Sequence, residues 1–392
     1  MPLSPELSES IEASVERERN ALEKLSRDIH QNPELRFEEH KAAGWIAELL
    51  RARGFEVEHG LAGMPTAIRA RRSGARGPKV AILGEYDALP EIGHACGHNL
   101  IAASAVGAFV AAAEAAARVG GDVVFLGTPA EEGGGGKIKM IEAGVFEGLE
   151  AAMMFHPFDR DILAHPALAS LWIAMTFKGK PAHAAAAPHD GASALQACTD
   201  TFRLIDGQRV GFRDGVRVHG YITNGGQAVN IIPELAACEF SVRAADSKEL
   251  ARIRAIVERC AKAAAMASDV AVELTVRQGY RDMRNNLTLA KRFGEHLGAL
   301  GRSAKLTDPR VGAGSTDMGD VSHVVPSIHP YLAIVDEGEA LCHQHHFAHA
   351  AASDRGLATA LAAAKALART AVELLADESL RRAVHEEWRV NA

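Results

Sequence analysis

The amino-acid sequence predicts an α/β fold in which a mostly parallel, helix-covered sheet is interrupted by a smaller inserted domain. Three observations support this prediction. Short apolar runs alternate with helical segments early in the chain, the order changes to β-α-β-β-α-β in the middle, and the first pattern returns near the end. Alternation is typical of parallel sheets, because each crossover between parallel strands needs a long connection. We predict a first domain from residues 1–168 and 280–392, and an inserted domain from 169–279.

Two helices open the chain and short strands follow them. Apolar residues recur at helical spacing over residues 7–31 and, after Asn32-Pro33, over residues 37–53, where Gly54 ends the second helix. An Ala-rich helix beginning near His98 separates the strands into two pairs. The apolar runs that predict these strands are 67–70, 80–83, 123–126 and 151–155.

The middle of the chain predicts a compact β-α-β-β-α-β unit of small-domain size. Its strands are LWIAMTF, VRVHGYI, LAACEFSVRA and VAVELTV, and its helices cover residues 192–205 and 248–267. Beyond Gly279 the first pattern resumes with a helix near residues 287–300, a Gly-rich loop at 312–319, the strand YLAIV and a long Ala-rich helix. The chain therefore returns to its first domain.

Composition excludes several classes of function. Lys plus Arg number 43 against 50 Asp plus Glu, the net charge is -7, and no segment concentrates basic residues, so we expect no nucleic-acid partner. Residues 92–113 lack acidic and basic side chains but contain polar ones, which excludes a membrane span. Five scattered cysteines indicate reduced thiols, and the N-terminus shows no secretory signal, so we expect a cytoplasmic protein.

The segment GEYDALPEIGHACGHNL, residues 84–100, combines acids, a thiol and imidazoles between a predicted strand and a predicted helix. Open α/β sheets bind ligands at the edge where strands end. Cys96 and His98 are separated by one glycine, so a thiolate and an imidazole can approach one metal ion. Without other residues, this triplet is more typical of a buried cysteine beside a helix.

Glu131 and Glu132 follow the next predicted strand, in TPAEEGGGG, and lie at the same sheet edge. Because neighbouring side chains point in different directions, one carboxylate can bind a metal ion while the other transfers protons. The alternatives are a solvated acidic turn and a phosphate-binding loop. The second alternative fails, since Lys137 is followed by Ile138 where such a loop needs Ser or Thr.

Two histidines complete a set of candidate metal ligands. One follows a predicted strand in MMFHP, and the other precedes the last long helix in CHQHHF. A single histidine is more often a packing residue than a ligand, but five candidates here fall at strand ends or helix starts. They are Cys96, His98, Glu132, His156 and His343. Five ligands exceed the four of one structural zinc site and fit two metal ions that share a bridging thiolate.

The chain resembles the metallopeptidase family of aminoacylases, bacterial glutamate carboxypeptidases and auxin-conjugate amidohydrolases in eight segments: HACGHN, PAEEGGGG, FHP, GKPAHAAAAPHDGASALQA, GGQAVNIIP, SVRAAD, GSTDMG and CHQHHF. The resemblance extends from HQNPELRFEEH onward. The segments GEYDALPEIGHACGHN and GSTDMGDVSHVVPSIHP are most similar to the aminobenzoyl-glutamate hydrolase and dipeptidase-like branch. The resemblance implies a phosphorylase/hydrolase-like catalytic domain and an inserted ferredoxin-like domain that serves as a lid and in dimerisation.

The resemblance also implies a role for each candidate ligand. Cys96 would bridge two divalent ions, with His98 and His156 on one ion and Glu132 and His343 on the other. We expect zinc or manganese, with cobalt or nickel as alternatives. His345 and His346 follow His343 closely, so either of them is an alternative ligand.

Catalytic and substrate-binding roles are implied in the same way. Glu131 would be the general base, and His183 and Asn230 would reach from the inserted domain into a neighbouring active site of a homodimer. Substrate binding is implied for Arg243, Gly314 and Ser315. Many relatives have His-x-Asp where this chain has Glu85-Tyr86-Asp87. We therefore expect Glu85 and Asp87 to contact the metal ligands without binding metal, and a ligand role for them stays an open alternative.

Together these residues predict a metal-dependent amidohydrolase in which activated water attacks a small amide substrate that carries a carboxylate. An N-acyl amino acid, a dipeptide and an aminobenzoyl-glutamate conjugate are the candidate substrates. One alternative is a cysteine-nucleophile amidase that uses Cys96 and His98, which leaves the other ligands without roles. A second alternative is a hydrolase that releases an aromatic amine. A non-catalytic metal-binding relic would lack the base, which Glu131 supplies.

Overall fold

The computed structural model describes residues 3–391, which form two compact units. Among the described residues, the first unit comprises 3–166 and 283–391, and the second is Ala167–Asp282. These bounds lie two or three residues from those that the sequence predicts. The reason is that residues just after 279 are hydrogen-bonded to the second unit. Ser170 N–H donates to Tyr280 O at 2.8 Å, and Ser247 N–H donates to Asp282 Oδ1 at 2.8 Å.

The described residues form α-helices and β-strands. The helices are α1 Pro5–Gln31, α2 His40–Ala52, α3 His98–Val119, α4 Gly136–Glu142, α5 Ala194–Gln208, α6 Ser247–Ala267, α7 Leu287–Ala299, α8 Met318–Ser322, α9 His345–Ala350, α10 Asp354–Ala376 and α11 Glu378–Val390. The strands are β1 Glu56–His59, β2 Ile68–Arg71, β3 Lys79–Glu85, β4 Asp122–Thr128, β5 Ala151–Met153, β6 His156–Phe158, β7 Ala169–Lys178, β8 Arg217–Asn224, β9 Leu235–Ala244, β10 Ala271–Gln278, β11 Ser327–Ile328 and β12 Tyr331–Ala333.

The first unit is built on a six-stranded sheet of order β1-β2-β4-β3-β5-β11. The four strands from β4 to β11 are parallel, while β1 and β2 are antiparallel additions at one edge. A second, two-stranded parallel sheet joins β6 to β12. This confirms the mostly parallel sheet, and it places the ends of β3, β4 and β5 at one edge, as parallel strands require.

Local capping explains where several helices begin. Ser4 Oγ accepts the N–H of Leu7 at 3.2 Å, and Pro5 occupies the first turn of α1. Ser353 Oγ accepts the N–H of Gly356 at 3.0 Å at the start of α10. Such side chains satisfy backbone donors that have no partner within the helix.

Helix α3 forms the centre of the first unit. It is the one described helix that is long and apolar enough to cross a membrane, but most of its residues are buried inside the protein. It packs against α1 and α10 and against the sheet strands β3 and β4. A helix buried on nearly every side is a core helix, and its apolar composition is explained by these contacts.

The second unit is a four-stranded antiparallel sheet of order β10-β7-β9-β8 with α5 and α6 packed on it. The element order β7-α5-β8-β9-α6-β10 is the predicted ferredoxin-like βαββαβ arrangement. Its core alternates along the strands, as shown by β9, where Phe240 and Val242 are buried and Arg243 is half-buried. Strands β8 and β10 are the two edges of this sheet.

Candidate metal centre and active site

The loop between β3 and α3 brings Cys96 and His98 against the segment that carries His156. Gly97 has a φ of +74°, and a Cβ at this position would lie 2.8 Å from Pro157 Cγ. Only glycine fits this left-handed and crowded position without strain. The Cys-Gly-His spacing noted in the sequence therefore has a packing cause.

Cys96 belongs to two groups of potential metal ligands. One ligand atom from each of Cys96, His98 and Glu132 lies within 4.8 Å of the other two, and the same holds for Cys96, His156 and Cys342. Cys96 Sγ lies 3.4 Å from His156 Nε2. His98 with Glu132, and His156 with Cys342, thus each form a group with Cys96. The rings of His98 and His156 also lie edge to face, with their centroids 6.2 Å apart.

Two buried atoms in this cluster lack ordinary partners. His98 Nε2 and Glu85 Oε2 are buried and make no hydrogen bond to any described residue, although they lie 3.4 Å apart. A buried polar atom without a partner is costly unless another group satisfies it. Sulfur, imidazole nitrogen and carboxylate oxygen are the donor types that bind zinc and similar divalent ions. The residues present therefore fit a divalent metal.

The imidazoles of the two candidate ligands His98 and His156 are oriented by hydrogen bonds from Nδ1. His98 Nδ1 donates to Asp87 Oδ1 at 3.0 Å, and His156 Nδ1 donates to Pro157 O at 2.6 Å. In both rings this leaves Nε2 facing the cluster, as is usual for metal-binding histidines. Burial lowers the pKa of His156 to about 4, which keeps the ring neutral. Burial also disfavours charge on His98, but the Asp87 and Glu85 carboxylates outweigh it and raise the pKa of His98.

Asp87 and Glu85 both contact the imidazole of His98. Besides holding His98, Asp87 accepts the backbone N–H of Glu132 through Oδ2 at 2.9 Å. One carboxylate therefore positions residues from two different strand ends. Glu85 Oε1 is held by Lys137 Nζ at 2.5 Å, while its Oε2 faces His98.

The adjacent glutamates have different surroundings. Ala130, at a φ of +61°, donates its N–H to Glu39 Oε1 at 2.9 Å, which fixes the turn before Glu131. Burial, followed by the nearby charge of Glu132, raises the pKa of Glu131 well above its usual value. Burial also opposes ionisation of Glu132, but a hydrogen bond from His343 and the charges of His98 and His343 together outweigh it and lower the pKa of Glu132. The two carboxylates are thus suited to different tasks.

His343 is the histidine of the CHQHHF segment that contacts Glu132. Its Nε2 lies 3.2 Å from Glu132 Oε1, and its backbone has a φ of +69°, with its N–H donating to Ala95 O at 2.9 Å. A left-handed non-glycine residue is strained and is typical of functional positions. His346 Nε2 instead contacts Glu339 Oε1 at 3.0 Å, and His345 is exposed at the start of α9.

A fully buried lysine, Lys137, lies between two carboxylates of the site. Lys137 Nζ contacts Glu85 Oε1 at 2.5 Å and Asp317 Oδ1 at 2.6 Å, and its backbone N–H donates to Asp317 Oδ2 at 3.0 Å. Burial disfavours the ammonium form, but the two carboxylates outweigh it and raise the pKa of Lys137. This lysine is therefore a structural cation inside the site, which agrees with the exclusion of a phosphate-binding loop.

Gly314 and Ser315, the predicted substrate-binding residues of the first unit, lie just before Asp317 in the sequence. Gly314 is exposed with open space beside its Cα, and Ser315 is half-buried. Two residues after Ser315, Asp317 pairs with Lys137 and immediately precedes α8. The GSTDMG segment thus contributes directly to the site through Asp317.

His183, Asn230 and Arg243 lie in the second unit. The segments of His183 and Asn230 are adjacent, because Ala184 N–H donates to Asn230 O at 3.0 Å, and both side chains are exposed. The N–H groups of Ala185 and Ala186 donate to His183 Nδ1 at 3.2 and 3.1 Å. This assigns the proton of the neutral ring to Nε2, which is then available as a donor.

Sequence reasoning did not assign roles to three residues that contact the cluster: Lys137, Asp317 and Cys342. Signals for all three were present in the quoted segments. Lys137 directly follows four glycines, Asp317 lies in GSTDMG, and Cys342 immediately precedes His343. Their pairing depends on contacts between distant segments and cannot be read from local spacing.

Comparison with known proteins agrees with this geometry. The sequence model of the peptidase family M20/M25/M40 matches residues 81–373. A Xaa-Arg dipeptidase of Mus musculus is 39% identical, covering 97% of this chain and 91% of its own length. One of the p-aminobenzoyl-glutamate hydrolase subunits of Escherichia coli is 32% identical, covering 76% of this chain and 66% of its own length.

Solved structures show the same fold. A dinuclear metal binding peptidase of the M20 family from Bacillus subtilis superimposes with a TM-score of 0.71 at 22% identity. The alignment covers 91% of this chain and 99% of that protein. Such a match extends over both the sheet domain and the inserted domain.

Proposed function

Because the chain belongs to the peptidase family M20/M25/M40 and is a metallopeptidase hydrolase, we propose that it hydrolyses the amide bond of a dipeptide, and a dipeptide with a C-terminal arginine is the first substrate to test. The observation that carries this proposal is the buried Cys, His and Glu cluster in a chain that is similar, over 97% of its length, to a Xaa-Arg dipeptidase. Water is the proposed nucleophile.

Two divalent ions are part of this proposal, with zinc or manganese expected first and cobalt or nickel as alternatives. The residues that would hold them are Cys96, His98, Glu132, His156 and His343, with Asp87 and Glu85 behind them. Bound ions of this kind supply Lewis acidity, which lowers the pKa of water and polarises a carbonyl oxygen.

Glu131 would perform the proton transfers. Its carboxylate takes a proton from the attacking water, and its raised pKa allows it to hold that proton. It then gives the proton to the departing amide nitrogen. His183, whose Nε2–H is available as a donor, would stabilise the oxyanion together with the Asn230 side chain.

An aminobenzoyl-glutamate conjugate is the second candidate substrate, supported by the 32% identity to the Escherichia coli hydrolase. N-acyl amino acids and aromatic amine conjugates follow. The cysteine-nucleophile alternative needs His98 as base, but the imidazole in contact with Cys96 Sγ is that of His156. We propose a cytoplasmic enzyme, which five free thiols support.

The test of the proposed function is a hydrolysis screen on protein that has been depleted of metal and reconstituted with each ion separately. The panel contains Xaa-Arg, Xaa-Lys and Xaa-Glu dipeptides, p-aminobenzoyl-glutamate and N-acetyl amino acids, with amine and acid release both measured. We expect activity on dipeptides with reconstituted protein and none after chelation. Full activity in the chelated protein, or hydrolysis confined to other classes, would contradict the proposal.

Arg243 is predicted to bind the substrate carboxylate. It lies on β9 opposite the buried Phe240 and Val242, and a guanidinium can bind a carboxylate through two parallel hydrogen bonds. Arg243→Ala should therefore reduce kcat/KM for a dipeptide much more than for its C-terminal amide. Exposed Arg217, which is paired with Arg243 in the strand register, serves as the matched control. Equal losses on the acid and the amide would remove Arg243 from the binding site.

We also propose a homodimer formed through the second unit. Edge strand β8 exposes Tyr221 and Ile222, and natural proteins usually cover such edges. In this dimer His183 would act on the active site of the partner chain. His183→Ala should then reduce kcat by about 100- to 1,000-fold, the usual effect of removing one oxyanion donor.

Subunit mixing distinguishes action across the dimer from action within one chain. Inactive Glu131→Gln protein is mixed with inactive His183→Ala protein under conditions that exchange subunits. A heterodimer then has one intact site, so activity should return to about half the parental rate per heterodimer. Mixing Glu131→Gln with Glu132→Gln is the control, because both defects lie in the same unit and no site is restored. No recovery in the first mixture, despite demonstrated exchange, would place His183 in its own chain's site or outside catalysis.

A further inference from the structure

Cys342 is a half-buried thiol that shares a ligand group with Cys96 and His156. We propose that Cys342 is itself a metal ligand, so that one of the two ions is held by two thiolates and one imidazole and this position selects zinc over manganese. This inference rests on the proposed function only in assuming that the cluster binds divalent ions.

The surrounding backbone fixes Cys342 between the two loops that carry its partners. The next residue, His343, donates its backbone N–H to Ala95 O at 2.9 Å, which ties this segment to the residue before Cys96. On the other side, Cys342 Sγ lies 4.0 Å from the backbone oxygen of Pro157, the residue after His156. The thiol is therefore placed by contacts on both sides, including the strained backbone of His343.

The two ligand groups differ in chemistry, although they share Cys96. The group with His98 and Glu132 offers sulfur, nitrogen and oxygen, a mixed set that several divalent ions accept. The group with His156 and Cys342 offers two sulfurs and one nitrogen, and thiolates favour zinc over manganese. Three protein ligands also leave a fourth position of a tetrahedral zinc open.

Binding requires only an acid–base change at Cys342. Its S–H bond breaks, the sulfur electron pair binds the cation, and the proton leaves to water. No electron is transferred, and both cysteines remain in the reduced state that the structure shows. The alternative roles for Cys342 are a small packing residue without metal contact and a disulfide partner of Cys96.

The first test uses cobalt as a spectroscopic probe. Metal-depleted parent, Cys342→Ser and Cys260→Ser proteins are titrated with Co²⁺, and thiolate-to-cobalt charge-transfer absorption is recorded at saturation. We expect the absorption of Cys342→Ser to fall by about one third, because the cobalt–sulfur bonds decrease from three to two. Cys260, a buried thiol of α6 outside both ligand groups, should give the parental spectrum when replaced.

Competition between zinc and manganese measures the selectivity directly. The preference for zinc should fall about 10- to 100-fold in Cys342→Ser and stay unchanged in Cys260→Ser, since loss of even an indirect metal contact has effects of this size. An unchanged spectrum together with an unchanged preference in Cys342→Ser would overturn the proposal.

Thiol alkylation of the parent protein provides a test that needs no variant. Iodoacetamide labelling of Cys342 is followed by mass spectrometry in metal-depleted, zinc-loaded and manganese-loaded protein. We expect strong labelling without metal and protection by zinc that exceeds protection by manganese. Equal labelling in all three states would overturn the proposal, as would a Cys96–Cys342 disulfide found in freshly purified, metal-loaded protein. None of these readouts needs substrate turnover, so they are independent of the hydrolysis screen.

Discussion

Replacing Glu131 with glutamine is expected to reduce kcat by about 100- to 10,000-fold, the usual contribution of a general base. The metal content should remain near that of the parent. The reason is that Glu131 belongs to neither ligand group, and its raised pKa suits proton transfer. Elemental analysis and kcat are measured on the same preparation.

The neighbouring glutamate provides the control for this prediction. Glu132→Gln should lose metal, because Glu132 is a member of the group with Cys96 and His98 and also contacts His343. Since an amide is a weaker ligand than a carboxylate, bound metal and activity should decline together in this variant. The opposite outcome, in which Glu131→Gln loses metal and Glu132→Gln retains it, would reverse the two assignments.

The second large effect is expected from Lys137→Met. The substitution removes the cation from a fully buried group and leaves Glu85 and Asp317 without their shared partner. Breaking a buried ion pair on one side costs about 3–5 kcal/mol. Lys139→Met is the matched control, because Lys139 lies on the same helix but is exposed, and its replacement should change stability by less than about 0.5 kcal/mol.

Urea unfolding of metal-free protein measures this effect without a contribution from metal binding. A Trp172→Phe background removes the one tryptophan of the second unit, so that the remaining fluorescence of Trp45 and Trp388 reports on the first unit. Adding Glu85→Gln to Lys137→Met should recover part of the lost stability, because one of the two uncompensated charges is then removed. A Lys137→Met protein as stable as the Lys139→Met control would show that the ion group contributes little.

The sequence was most informative for elements whose pattern is set by residues close together in the chain. Hydrophobic periodicity and Pro or Gly boundaries predicted α1, α3 and the strands of the second unit, since each depends on neighbouring residues. Strand β1, EVEH, was missed because its side chains are mostly exposed and polar, and pairing with β2 stabilises it. The division of residues 151–158 into β5 and β6 was also missed, because the two strands pair with different partners, β11 and β12.

The same distinction applies to the candidate site. The spacing of residues at strand ends was enough to suggest Cys96, His98 and Glu132 together, since parallel strands end at one edge. The positions of the other site residues depend on contacts between segments that are distant in sequence. Lys137 pairs with Asp317 across 180 positions, and Cys342 approaches Cys96 through a turn whose strained backbone the sequence does not reveal.

The interrupted first unit has a consequence for synthesis of the protein on the ribosome. The second unit is continuous, so its four strands are all available once residue 282 has emerged. The first unit must wait for the end of the chain, because β5 pairs with β11 and α3 packs against α10. At about 5–20 residues per second, the insertion separates the two halves by on the order of ten seconds. During that interval the apolar face of α3 that α10 later covers lacks its partner, and a nascent chain in this state is the one most dependent on protection from aggregation.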